Sequence, residues 1–142
     1  MRIGEVLRRK GSDVTTLRPE ASVSELVTLL AREGIGSVVV SDDEHPVAGI
    51  VSERDIVRGL HDHGARVLDE PVSVIMTSEV HTCGPHDDLE TLAGTMTEHR
   101  IRHLPVVSDG QLRGIVSIGD IVKGRIAELQ SERDQLFGYI QQ

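Results

Sequence analysis

Aromatic residues are almost absent from this chain. Phe137 and Tyr139 are the only two, there is no Trp, and both lie within the last six of 142 positions. Any core must be built from Val, Leu, Ile, Ala and Met, and a surface for stacking unpaired bases has no rings to use. A basic stripe is missing too: 15 Lys and Arg face 23 Asp and Glu, a formal charge of −8. Binding a nucleic-acid backbone requires clustered cations. The one short run, Arg8-Arg9-Lys10, reads as a helix end, where cations meet the negative end of the macrodipole. No nucleic-acid partner is expected. Cys83 stands alone, so no internal disulfide forms and a reducing compartment is the natural setting. No apolar run approaches the roughly 20 residues that cross a bilayer, and the opening MRIGEVLRRKG lacks a signal-peptide core. The expectation is a cytoplasmic protein without a membrane partner, either one compact domain or two very small ones sharing a core.

What the chain does have is a phrase written twice. GIVSERDIV starts at Gly49 and GIVSIGDIV at Gly114, with seven of nine residues identical. At an offset of 66 the likeness runs upstream: Val14 meets Val80, Thr16 meets Thr82, Pro19 meets Pro85, Leu26 meets Leu92 and Ile35 meets Ile101. An extra residue in the turn at Asp42–Pro46 changes the offset to 65. Each copy reads as a short strand (Val14–Leu17; Val80–Thr82), a Pro-containing turn and a helix. Ser22 and Glu25 have capping-box spacing, and Val23, Leu26, Val27 and Leu30 fall on one helical face. Leu89, Leu92, Ala93 and Met96 repeat that face, and Gly34 marks a helix stop. Two β-branched strands follow (Ser37–Ser41 and Val47–Val51; His103–Val107 and Leu112–Val116), joined by turn residues. A second helix starts at the Ser of the phrase. The unit is β-α-β-β-α, too small to stand alone. The expected fold is α+β, two pseudo-symmetric copies packed through their sheets with an extended C-terminal helix. The expected segments are 1–66 with the N-terminal helix, 67–127, and 128–142.

Ser52-x-x-Asp55 and Ser117-x-x-Asp120 allow two readings. As local structure, Ser is an N-cap and Asp an acid at N3. As a site, a helix start attracts phosphate, and a carboxylate one turn on accepts hydrogen bonds from a ribose diol. The tandem pattern, with G-h-h-[ST]-x-x-D (h apolar) closing each copy and RHLPVV before the second, resembles a pair of cystathionine-β-synthase (CBS) domains, a Bateman module of the stand-alone bacterial type. The resemblance spans about Val14 to Ile126. It implies a regulatory ligand sensor, not an enzyme, needing no cofactor but binding AMP, ADP, ATP or NAD, with S-adenosylmethionine ranked behind. It implies that Asp55 and Asp120 hold ribose, and that Ser52 and Ser117 touch phosphate together with Arg54, Arg102 and His103. Thr16, Ile35, Thr82 and Ile101, with Val14 and Val80, would line adenine slots. Gly36 and Ser37, at the places of Arg102 and His103, carry no charge, so the two sites are unequal. The alternative is an interaction module whose nucleotide sites are vestigial.

Other constellations are weaker. His61-Asp62-His63 reads as a solvated helix end, and no metal is expected. Cys83 near His81 and His86 reads as a small buried apolar group, and no G-x-S-x-G elbow is present. No catalytic residue is assigned. In the tail, Val122, Ile126, Leu129, Arg133, Leu136 and Ile140 are spaced 4, 3, 4, 3 and 4, a heptad seam broken once by Arg133. The seam fits either a helix lying on its own domain or one that pairs with a second subunit. Family habit favours the second, so a homodimer is expected.

Overall fold

A computed structural model of the chain describes residues 1–11 and 13–141. Ser12 and Gln142, in the expected first and last segments, lie outside the described residues. In chain order the main elements are α1 (Ile3–Lys10), β1 (Thr16–Leu17), α2 (Val23–Glu33), β2 (Ser37–Val40), β3 (Gly49–Ser52), α3 (Glu53–His63), α4 (Leu89–His99), β4 (His103–Ser108), β5 (Gln111–Ser117) and α5 (Ile118–Ile140). Short 3-10 turns at Ala65–Asp69 and Val72–Val74 follow α3. The chain divides into two compact units. One is Val14–His81 with Gly110–Leu112; the other is Met1–Asp13, Thr82–Asp109 and Arg113–Gln142. The fold is α+β, as expected.

In the first of these units, β1 runs parallel to β2, with Leu17 opposite Val40. β3 runs antiparallel to β2, with Val38 opposite Val51. Helix α2 begins where the sequence places it, because the Ser22 hydroxyl accepts the Glu25 N–H at 3.0 Å. It ends at Gly34, which takes the left-handed conformation (φ 64°, ψ 37°) that a side chain disfavours. Val23, Leu26 and Leu30 are buried with Val38, Val40, Val51, Ile56, Val67 and Val72. Burying each such side chain contributes about 1.5–3 kcal/mol before entropy is counted. Val27 departs from the expected face and lies 39% exposed.

The second unit repeats the plan with one strand reduced. Cys83 pairs with Val106 in a parallel bridge, the same register as Leu17 with Val40 after the 66-residue shift. No strand forms over the expected Val80–Thr82. Beyond Cys83 the Gly84 N–H is taken by the Asp87 carboxylate at 2.8 Å. β4 and β5 form a hairpin whose turn residues Asp109 and Gly110 both have positive φ, 53° and 72°. Leu89, Leu92, Met96, Leu104, Val106, Val116 and Ile121 are buried together.

Helix α1 packs in this unit. Its apolar positions Ile3, Val6 and Leu7 are buried in the second copy's cluster. Its first free N–H groups are taken by the loop before α4: Ile3 donates to the Asp87 carbonyl at 2.9 Å and Gly4 to that of Pro85 at 2.8 Å.

Gly49, which opens the first phrase, has the Met76 sulfur at 2.5 Å and the Thr77 carbonyl at 2.9 Å from where a Cβ would sit. Gly94, inside α4, has nothing within 4 Å. Gly49→Ala should therefore lower unfolding stability by about 1–3 kcal/mol through overpacking. Gly94→Ala should raise it by about 0.5–1 kcal/mol, because glycine weakens a helix interior. Urea titrations of both variants check the pair, and two shifts of the same sign would contradict it.

Candidate functional site

Both repeated phrases end in the same hydrogen-bonded junction. Ser52 donates its backbone N–H to Asp55 Oδ2 at 2.8 Å, and its hydroxyl accepts the Asp55 N–H at 3.4 Å. Ser117 and Asp120 do likewise at 2.8 and 3.1 Å. The next amide is used as well: Glu53 donates to the Gly36 carbonyl at 3.0 Å, and Ile118 to the Arg102 carbonyl at 2.9 Å. A helix start has four N–H groups without helical partners. Among the described residues three are occupied in each copy, leaving those of Arg54 and Gly119. The structural reading of Ser-x-x-Asp is thus correct in both copies. It does not exclude the other, because the hydrogen bonds to both carboxylates converge on Oδ2 and leave Oδ1 unengaged.

In the first copy, the expected residues Thr16, Ile35, Ser52, Arg54 and Asp55 all lie in one unit. Asp55 and Ser52 are half-buried, whereas Thr16, Ile35 and Arg54 are exposed. Among the described residues no cation pairs with Asp55; the carboxylate also accepts the Ser52 hydroxyl at 3.1 Å.

The second copy differs. Thr82, Ile101, Arg102, His103, Ser117 and Asp120 share the other unit. There a residue the sequence reading did not include reaches the centre. Lys10, the last residue of α1, places Nζ 2.6 Å from Asp120 Oδ2 and donates to the Ile115 carbonyl at 2.9 Å. Burial works to raise the Asp120 carboxyl, but the Lys10 hydrogen bond and charge and the Ser117 donors outweigh it. They hold the carboxyl below its ordinary value. His103 moves down from its ordinary value, first through burial, then through the charges of Lys10 and Arg102, against the opposing pull of Asp120. His103 is therefore neutral at pH 7. The positive charge expected of it comes from Lys10 instead. No local pattern pointed to Lys10, because it lies 110 residues before its partner.

The remaining candidates are accounted for by packing. Cys83 is buried, and burial together with the Asp87 charge pushes its thiol up to about 12. A group that stays protonated at neutral pH is not an activated nucleophile. His61 and His63 lie in the exposed last turn of α3. Among the described residues, no helix is long and apolar enough to cross a membrane.

The model of the CBS domain matches this chain twice, over residues 3–62 and 72–126. A CBS-domain containing protein of Agrobacterium tumefaciens superposes with a TM-score of 0.84 at 42% identity, covering 88% of this chain and 99% of that one. A CBS domain protein of Pyrobaculum aerophilum, solved in complex with AMP, superposes with a TM-score of 0.73 at 32% identity, covering 84% and 89%. The mitochondrial CBS domain-containing protein CBSX3 of Arabidopsis thaliana is 33% identical over 147 residues, which covers 98% of this chain and 71% of that protein.

The group around Lys10 generates a pH prediction. A histidine lowered by the fold stabilises it above the ordinary value near 6.5, and that contribution is lost as pH falls through the lowered value. Asp120, also lowered, contributes above its ordinary value near 4 and is lost below it. Removing the Lys10 charge with Lys10→Met should raise the His103 pKa, whereas Asp120→Asn should lower it further. NMR titration of the His103 ring between pH 4 and 8 reads both shifts. Movement in the opposite directions would show that these charges do not act on the ring.

Proposed function

Because the chain belongs to the CBS-domain family, we propose that it is a regulatory module that binds an adenosine nucleotide at each of its two Ser-x-x-Asp junctions and catalyses no reaction. The observation that carries this reading is the pair of free groups left at each capped helix start, one carboxylate oxygen and one N–H. Oδ1 of Asp55 or Asp120 is available to a ribose diol. The unused N–H of Arg54 or Gly119 is available to a phosphate, where the helix dipole favours negative charge. The AMP complex of the Pyrobaculum aerophilum relative supports the ligand class. The second-copy site is the more cationic, with Lys10 paired to Asp120 and the Arg102 charge acting on His103, so it is the better phosphate site.

The vestigial alternative remains distinct, because saturated caps alone would serve structure. Removing either carboxylate should cost about 0.5–2 kcal/mol of stability through the cap in both readings. Only in the binding reading should Asp120→Ala or Asp55→Ala also weaken one nucleotide site each, by ten- to a hundredfold for about 1.5–3 kcal/mol of charge-assisted hydrogen bonding. Calorimetric titration of AMP, ATP and NAD into the wild type and both variants decides it. Equal affinity in all three proteins would leave the motif as a cap.

We further propose a homodimer joined through α5. This helix is 23 residues long, about 34 Å at 1.5 Å per residue, yet among the described residues only Ile121 and Gly124 are buried in it. Val122, Ile126, Leu129, Leu136, Phe137, Tyr139 and Ile140 are each at least half exposed. An apolar row of this length is stabilised when a second helix covers it. Removing residues 130–142, or replacing Ile126 and Leu129 with Glu, should shift the particle towards monomer in light scattering at micromolar concentration. An unchanged mass in both variants would rule α5 out as the main contact.

A further inference from the structure

Beside Asp120 lies a cavity of about 270 Å³, walled by Met1, whose ammonium is paired with Glu128 at 3.3 Å, by Val6, Arg9 and Lys10 of α1 and by Asp120, Lys123 and Gly124 of α5. Three cations face one carboxylate there, an excess of positive charge within a chain whose formal charge is −8. Lys10 already neutralises Asp120 at 2.6 Å. Arg9 and Lys123 have neither an ion pair nor a hydrogen-bond partner among the described residues. Placement at the end of α1 gives Arg9 a partner in the helix dipole. Lys123 has no such reason, since it lies in the second turn of α5, near the positive end of that helix. Like charges held together on two elements repel unless an anion joins them. Lys10 links this cavity to the nucleotide junction, because its charge also acts on His103.

We propose that this cavity is an anion site that receives the phosphates beyond the first on the nucleotide held at Asp120, through Arg9, Lys10 and Lys123. The assignment rests on the nucleotide reading above and extends it to a ligand class: the second-copy site takes adenosine di- or triphosphates in preference to the monophosphate or an uncharged adenosine. Lys10 fixes the carboxylate so that Asp120 does not repel the phosphates. Arg9 and Lys123 carry the charge that meets them.

The test is calorimetry in metal-free buffer with adenosine, AMP, ADP, ATP and inorganic pyrophosphate, on the wild type and on the double variant Arg9→Gln/Lys123→Gln. Both side chains are exposed and unpaired, so the fold should survive, and circular dichroism checks this. In the wild type, affinity should rise about tenfold or more from AMP to ATP, the equivalent of ~1.4 kcal/mol, and weaken with added salt. Pyrophosphate alone should bind and compete with ATP but not with adenosine. The double variant should lose pyrophosphate binding and level the AMP-to-ATP series while adenosine affinity stays unchanged. Equal affinity for AMP and ATP in the wild type, or a series that survives in the double variant, overturns the anion site and leaves the nucleotide reading intact. Pyrophosphate binding that the double variant abolishes, with no adenosine compound bound by either protein, upholds the anion site and overturns the nucleoside reading of Asp120.

Discussion

A single junction, used twice, organises each half of this protein: the reciprocal cap between a serine and the aspartate three residues on. It fixes more than a helix start. The serine closes a strand, its amide and hydroxyl engage the aspartate, and the following amide reaches back to the carbonyl of Gly36 or Arg102. Strand end, helix start and the entry to the previous strand are tied at one place. Such a cap is typically worth about 1 kcal/mol, and it sets the angle at which α3 and α5 leave their strands. The cap draws on only one carboxylate oxygen, so the residues that hold the fold keep Oδ1 free of hydrogen bonds among the described residues. Structure and recognition need not compete for this motif.

Around that shared junction the copies diverge in charge. The first has glycine and serine where the second has Arg102 and His103, and arginine where the second has Gly119. Tertiary packing then adds Lys10 to the second copy. His103, half-buried near like charges, is pushed towards its neutral form, and a lysine from far along the chain brings a positive charge to Asp120. The unequal sites are therefore a consequence of which unit α1 joins, as well as of the residues within each copy.

The copies also diverge in where their last helix stops. Gly64 ends α3 with a φ of 74°. The position that matches it in the second copy is Leu129, which has no such freedom and prefers to continue the helix. α5 therefore runs on to Ile140 and carries its apolar row outward. The glycines one turn earlier keep their common role. Gly59 lets Ile75 and Val67 approach, and Gly124 lets Leu89 do so, at distances where an added Cβ would make these side chains shift.

The sequence by itself determined the elements and their order. Capping serines, helix periodicity, turn residues and the two-fold repetition act over a few residues, and so they can be read along the chain: α2 from Ser22 to Gly34, the hairpin turn at Asp109, the Ser-x-x-Asp helix starts. It also placed the candidate aspartates, because duplication marked them. What only the tertiary structure decided depends on contacts between distant segments. The N-terminal helix was expected, but not what it packs against; the structure buries Ile3, Val6 and Leu7 in the second copy's cluster and ties the helix start to the backbone of Pro85 and Asp87. The second copy keeps only the Cys83–Val106 bridge where the first has a strand. The charge state of His103 followed from burial and from Lys10, 93 residues earlier in the sequence. Local chemistry is written in order along the chain, whereas electrostatics depends on distance in space, and only folding brings Lys10 within 2.6 Å of Asp120.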